Sequence, residues 1–200
     1  MGIRIDVKEL LDRLEAISKI LLILGTLATG IWVIMEYFDK KHDARVAETL
    51  GYARRFATDP LQAAQTRIGM AWYAARGSLR VLAATPVRSA DEFATRRRQL
   101  VMMVVQNSVT SASSKQTGIV SDLDLLVGFF AELQVCITSK LCDSETANNY
   151  FRSYARRLYC LHEPFIQWKD QNYSRGYGSE LRTLAALPSN TCTSSARPAA

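Results

Sequence analysis

The residues best equipped for chemistry are Cys136, Cys142, Cys160 and Cys192 with His42 and His162, four cysteines and two histidines in 200 residues. Thiolates and imidazoles are zinc donors, and a thiol beside an imidazole is the usual activated nucleophile. The spacing opposes both. Cys160 and His162 stand two apart, hence on nearly opposite sides of a helix, and neither cysteine gap has the two-to-four-residue length of a zinc knuckle. His42 is far off in the chain. No catalytic, metal-binding or cofactor-binding residue is assigned, and the cysteines read as buried and inert. If residues 143–160 are one helix, Cys142 and Cys160 lie about 27 Å apart at ~1.5 Å per residue, well beyond the ~7 Å reach of a disulfide. Cys136 and Cys142, across a turn, are the one pair in that hairpin able to bridge. Cys192 falls in a Ser/Thr/Pro-rich tail. Such a pattern is not a disulfide framework.

Phosphate chemistry finds no support, since neither G-x-x-x-x-G-K-[ST] nor G-x-G-x-x-G occurs. Arg96, Arg97 and Arg98 suggest a nucleic-acid patch, but successive helical residues point about 100° apart, so the three spread round the helix. We read them as a solvated face and expect no nucleic-acid partner.

The charge distribution points elsewhere. The formal net charge is +6. It lies wholly after residue 35, because Arg4, Lys8, Arg13 and Lys19 are matched by Asp6, Glu9, Asp12 and Glu15. Between these regions Ile20 to Met35 carries no ionisable side chain. Sixteen such residues make a helix of about 24 Å, short of a ~30 Å hydrocarbon core. Ala16, Ile17 and Ser18 lengthen it, Lys19 can snorkel, and Tyr37 and Phe38 suit an aromatic belt. We therefore expect a transmembrane helix over 17–38, retained in the mature protein, with a buried helix of a soluble protein as the competing reading. Gly25, Thr26, Thr29 and Gly30 form two small-xxx-small pairs on which another membrane helix, or a second copy, can pack closely. Lys40, Lys41, Arg45, Arg54 and Arg55 follow at headgroup level. Four Lys/Arg in the first nineteen residues against five in a similar length after the span lean toward a cytoplasmic C-terminal domain.

Before the span, Val7, Leu10, Leu14, Ile17 and Leu21 recur at helical intervals, so residues 1–16 read as an amphipathic helix running into the span. The helix should continue to about Phe56. Asp59 as N-cap with Pro60 at the first turn opens the next, which should run to Pro86. Ser89/Glu92 forms a capping box for a helix to about Val109, and 111–121 is a loop. Ser121/Asp124 should cap a strongly apolar helix. Asp143 or Ser144 opens the last long one, with Ala147, Phe151, Tyr154, Leu158, Leu161, Phe165 and Trp168 as its inner stripe and Pro164 kinking or soon ending it. These two should pack antiparallel. The soluble domain is thus 39–175, followed by a weakly ordered tail, 176–200. The fold class is all-α: one N-terminal transmembrane helix and a soluble antiparallel helical bundle.

Within Leu126-Val127-Gly128-Phe129-Phe130-Ala131-Glu132-Leu133, then Leu141-Cys142-Asp143, then His162-Glu163-Pro164-Phe165-Ile166-Gln167-Trp168, the chain resembles an uncharacterised bacterial family of small single-pass membrane-anchored all-helical proteins. The stretch covers about a fifth of the chain. The cysteines depart from what that family leads one to expect. The resemblance implies a bacterial inner-membrane address and no reaction. Glu132, the one charge on its apolar helix, is expected to make a structural ion pair with Arg156 or Arg157 on the facing helix. The expected role is non-enzymatic: a membrane-anchored accessory or scaffolding subunit with membrane lipid and other membrane proteins as partners. The alternative is an effector or sensor, such as a defence-type protein, whose soluble domain couples to the span through a pocket in the bundle.

Overall fold

The computed structural model describes residues 7–86, 89–110, 119–187 and 192, without the side chains of 7–21, 23, 28, 82, 83, 90 and 106–110. All regular structure among them is helical. The expected stripe before the span therefore lies outside the described side chains, as does the 111–118 part of the expected loop. The chain divides into two compact units, 1–44 and 45–200.

The first helix, α1 (Val7–Phe56), starts in the first unit and ends in the second. Among the described residues no helix is long and apolar enough to cross a membrane. In the first unit the described apolar side chains between Leu22 and Phe38 have no cover: Ile31, Trp32, Val33, Ile34 and Met35 are all more than half exposed. Five successive residues turn through more than a full circle of the helix, so every side of it is apolar and bare.

The second unit is an ordinary packed bundle. Elements α2 (Leu61–Ala74), α3 (Arg76–Ala84), α4 (Ala90–Thr110), α5 (Ile119–Thr138), α6 (Ser144–Asn172) and α7 (Ser179–Leu184) follow the end of α1. α5 is the core element, buried along Leu123, Leu126, Phe129, Phe130 and Leu133. Phe56, at the end of α1, meets Phe129, Phe130, Phe151 and Tyr154 at ring-centroid distances of 5.0–5.7 Å. This anchors the end of α1 to α5 and α6.

Local signals place several helix ends well. Ser89 Oγ accepts from the Glu92 amide at 3.2 Å, and Asp143 Oδ2 accepts from the Thr146 amide at 2.7 Å. Others give way to tertiary contacts. At α2 no side chain caps the start; the Gln62 amide donates to the Thr58 carbonyl instead of an Asp59 carboxylate. The single helix expected up to Pro86 breaks at Ala75, beside Gly77, whose backbone freedom weakens helix there. α5 begins at Ile119, ahead of Ser121, and Asp122 is drawn into a buried pair with Arg67.

The region after 175 is also not all tail. Gly178 adopts φ +79°, which only glycine takes without strain, and an added Cβ would lie 2.6 Å from Ile166 Cγ2. That tight turn sets α7 against α5 and α6 with Leu181, Leu184 and Ala185 buried. The packed domain therefore extends to about 187. Of the remaining residues only Cys192 is described.

Pro164 neither ends α6 nor leaves its fault unrepaired. Proline has no amide hydrogen, so the carbonyl four residues earlier, at Cys160, loses its helical donor. The Arg97 guanidinium fills the gap, donating through one nitrogen to the Cys160 carbonyl and through another to Glu163 at 3.1 Å. The middle arginine of the trio read as solvated thus bolts α4 to α6. Arg96 pairs with Glu92 along its own helix at 2.5 Å, and Arg98 is exposed.

Arg97→Ala should cost about 2–4 kcal/mol, because it strands a helix carbonyl and a half-buried carboxylate. In a Pro164→Ala background, where residue 164 regains an amide donor, the same change should cost at least about 1 kcal/mol less. Equal costs in the two backgrounds, measured by chemical denaturation, would show that Arg97 does not compensate for the proline.

Candidate functional site

Among the described residues two concavities are lined mainly by apolar side chains, one in each unit. On α1, Leu22, Gly25, Thr26, Thr29, Gly30 and Val33 line a shallow groove. Residues at four-residue spacing share a face, and glycine lets the groove reach the backbone. Nothing stands within 4 Å of a Cβ placed on Gly25 or Gly30, and Thr29 Oγ1 donates back to the Gly25 carbonyl at 2.8 Å, so its polarity is spent inside the helix. The four small residues singled out from sequence thus line one concave face.

In the second unit a pocket of about 320 Å³ lies between α4, α5 and α6. Its walls are Met102, Val105, Val120, Phe165, Trp168, Lys169 and Tyr173. The lining is apolar apart from Lys169, whose ammonium donates to Asp124 and lies 4.7 Å from the Tyr177 ring centroid. Tyr177 donates to the same Asp124 oxygen at 2.6 Å, and burial followed by that bond holds its hydroxyl well above the ordinary tyrosine range. No pattern in the sequence marks this pocket, since its walls come from three separate elements.

The groups that might have done chemistry are committed elsewhere. Cys136 bridges Cys142, and Cys160 bridges Cys192, each with Cα atoms 5.2 Å apart. The first pair is the one the hairpin geometry allowed. The second corrects the reading of Cys160 as an inert thiol and of the four cysteines as no framework. By loop-closure entropy, spans of 6 and 32 residues correspond to about 2 and about 4 kcal/mol. His162 is fully buried. Its Nε2 faces the Trp72 indole nitrogen at 2.9 Å, and indole only donates, so Nε2 accepts. The proton therefore sits on Nδ1, which donates to the Leu158 carbonyl at 2.9 Å. Both nitrogens are engaged: Nε2 joins α2 to α6, and Nδ1 is satisfied within α6. No cluster of three metal-donor side chains occurs among the described residues.

The expected charge sites are only partly reproduced. Glu132 pairs with Arg55 of α1, not with Arg156 or Arg157, which are exposed. The reason is helix rotation: Glu132 lies at the α1 side of α5, where Arg55 also sits 5.2 and 5.3 Å from the ring centroids of Tyr52 and Phe129. Arg55 is thereby drawn from the set expected at lipid headgroups. Arg45 is only half exposed, with a buried Nε that lacks a partner. Lys40 pairs with Glu36 at 2.7 Å but stays exposed, as do Lys41 and Arg54. Two further pairs, besides those of Arg96 and Arg97, were not foreseen. Asp122, almost fully buried, takes both arms of the Arg67 fork at 2.9 and 2.5 Å. Lys169 with Asp124 is the other. Acidic residues near the start of an apolar helix were the signal: Asp124 was read as part of a cap, and Asp122 was not singled out.

Compared with protein-family models, with curated proteins and with solved structures, the chain shows no match.

Burial, outweighing the bond to the Leu158 carbonyl, pulls the His162 imidazole down to about 4. The unfolded chain takes up that proton near pH 6.5, so this residue's contribution is whole above about 6.5 and is lost as pH falls toward 4. Unfolding free energy should drop by roughly 3 kcal/mol across that window. In His162→Gln this part of the pH slope should vanish; an unchanged slope in urea titrations at successive pH values would assign the acid sensitivity to other groups.

Proposed function

We propose that the chain is a non-enzymatic, membrane-anchored interaction protein, an accessory or scaffolding subunit of a larger complex in a bacterial inner membrane. Residues 17–38 are the anchor and the Gly25/Thr26/Thr29/Gly30 face is the contact for another membrane helix. The single observation behind this reading is the bare apolar surface around α1 from Leu22 to Phe38. Contiguous exposed apolar surface on that scale calls for lipid or a partner. Leu21, Ile23 and Ala28 belong to the same apolar stretch of sequence. With them the sequence from Ile20 to Met35 has no charge. Lys41 and Arg54 are the exposed cations best suited to headgroups, at about 1 kcal/mol each near an anionic surface. The resemblance of 126–168 to membrane-anchored bacterial proteins is part of the same proposal.

A second reading, a membrane-associated effector or sensor, is favoured by the apolar pocket between α4, α5 and α6. Its volume falls at the lower end of small-ligand sites. An apolar ligand there would touch α4 and α6 together and bias their packing.

Two experiments divide these readings. Extracted in mild detergent, the native protein should travel with a fixed stoichiometric set of membrane proteins, and Gly25→Leu with Gly30→Leu should release that set while the chain stays in the membrane fraction. Migration alone sinks the subunit reading. For the pocket, an anilinonaphthalene sulfonate probe should quench Trp168 fluorescence, and Met102→Trp, which narrows the cavity, should weaken binding about tenfold. No response by Trp168 would leave the sensor reading without a site.

A further inference from the structure

We propose that the 45–200 unit lies on the oxidising side of the membrane, with residues 1–16 facing the cytoplasm, the reverse of the orientation that the charge count favours. This rests on the anchored reading above. All four cysteines of the chain are paired, and none is free. The two bridges are independent. Cys136–Cys142 closes the turn between α5 and α6, and Cys160–Cys192 fastens the chain beyond α7 to the middle of α6, across 32 residues. Stable structural disulfides form outside the cytosol, where thiol reductants do not reopen them. The Lys/Arg count that pointed inward differs by a single residue, four against five. Complete pairing of distant cysteines is the stronger constraint.

The redox balance is simple. Each bridge forms as two thiols lose two protons and two electrons to a disulfide donor of that compartment, which becomes a dithiol by exchange. Two such exchanges complete the domain. A partner docking on the bundle or filling its pocket would therefore be an extracytoplasmic protein or ligand, while the partner of α1 remains a membrane helix.

The test uses the full chain in its native membrane. Cells are quenched with a permeant small alkylating agent, and the protein is then treated with a polymer-bearing maleimide before and after reduction, alongside an alkaline carbonate wash. Protease added outside spheroplasts reads sidedness directly. The expected result is a carbonate-resistant protein with no adduct before reduction, four after it, and a unit degraded from outside. Carbonate-resistant protein whose thiols were already alkylated in the cell, with the unit protected from protease, overturns the sidedness and leaves the anchor standing. Release by carbonate overturns the anchor itself, and the sidedness with it, whatever the thiols do.

Discussion

A proline in the middle of a buried helix leaves one carbonyl without a donor, and much of the second unit is arranged around that point of α6. Arg97 of α4 supplies the missing donor at Cys160 and binds Glu163 beside it. The Cys160 side chain carries the bridge to Cys192. Two residues on, His162 receives the Trp72 indole from α2, and Ile166 closes on Gly178 ahead of α7. Within seven residues of helix, therefore, four other parts of the chain are fixed. A helix with its backbone fully satisfied would have no vacant acceptor for the arginine. Ordinary apolar packing holds α5, but polar bonds of fixed geometry set the register of the elements around α6.

This explains which parts of the fold were legible in the sequence. The starts of α4 and α6 were readable because a cap is a bond between residues three apart, written in adjacent letters. The all-helical class followed from periodicity in the same way. Acidic residues near the start of α5 carry the same letters as caps, yet Asp122 is taken by Arg67, 55 residues earlier. No local rule decides between those two uses of one carboxylate. The cysteines divide likewise: Cys136 and Cys142 are held together by a turn, whereas the Cys160–Cys192 pair depends on α7 folding back, and a Gly-rich approach to a Ser/Thr/Pro tail gave no sign of it. Pro164 announced a defect in α6 without naming its repair.

Of the candidate site, the α1 groove was legible because it is a property of one helix: small residues at four-residue spacing make a concavity wherever they occur. The pocket was not, since Val105, Val120 and Trp168 come together only when three helices pack. Charges fell between. Basic residues near an apolar helix were reasonable headgroup contacts, but Arg55 stacks on Tyr52 and Phe129 and pairs with Glu132. As that pair is half exposed, it adds at most about 1 kcal/mol. Its effect is on location, because an arginine held over two rings is no longer free to reach a lipid.

The four cysteines and His162 are taken up in holding the domain together. The two units then impose different demands on their surroundings. The apolar circumference of α1 is stable only when water is replaced by lipid or another helix, whereas the bundle keeps its bridges only where reductants are scarce. A membrane bordering an oxidising compartment satisfies both conditions at once. On the proposed reading the work of the molecule in that setting is recognition: a helix face for a partner within the bilayer, and a disulfide-bridged bundle beyond it.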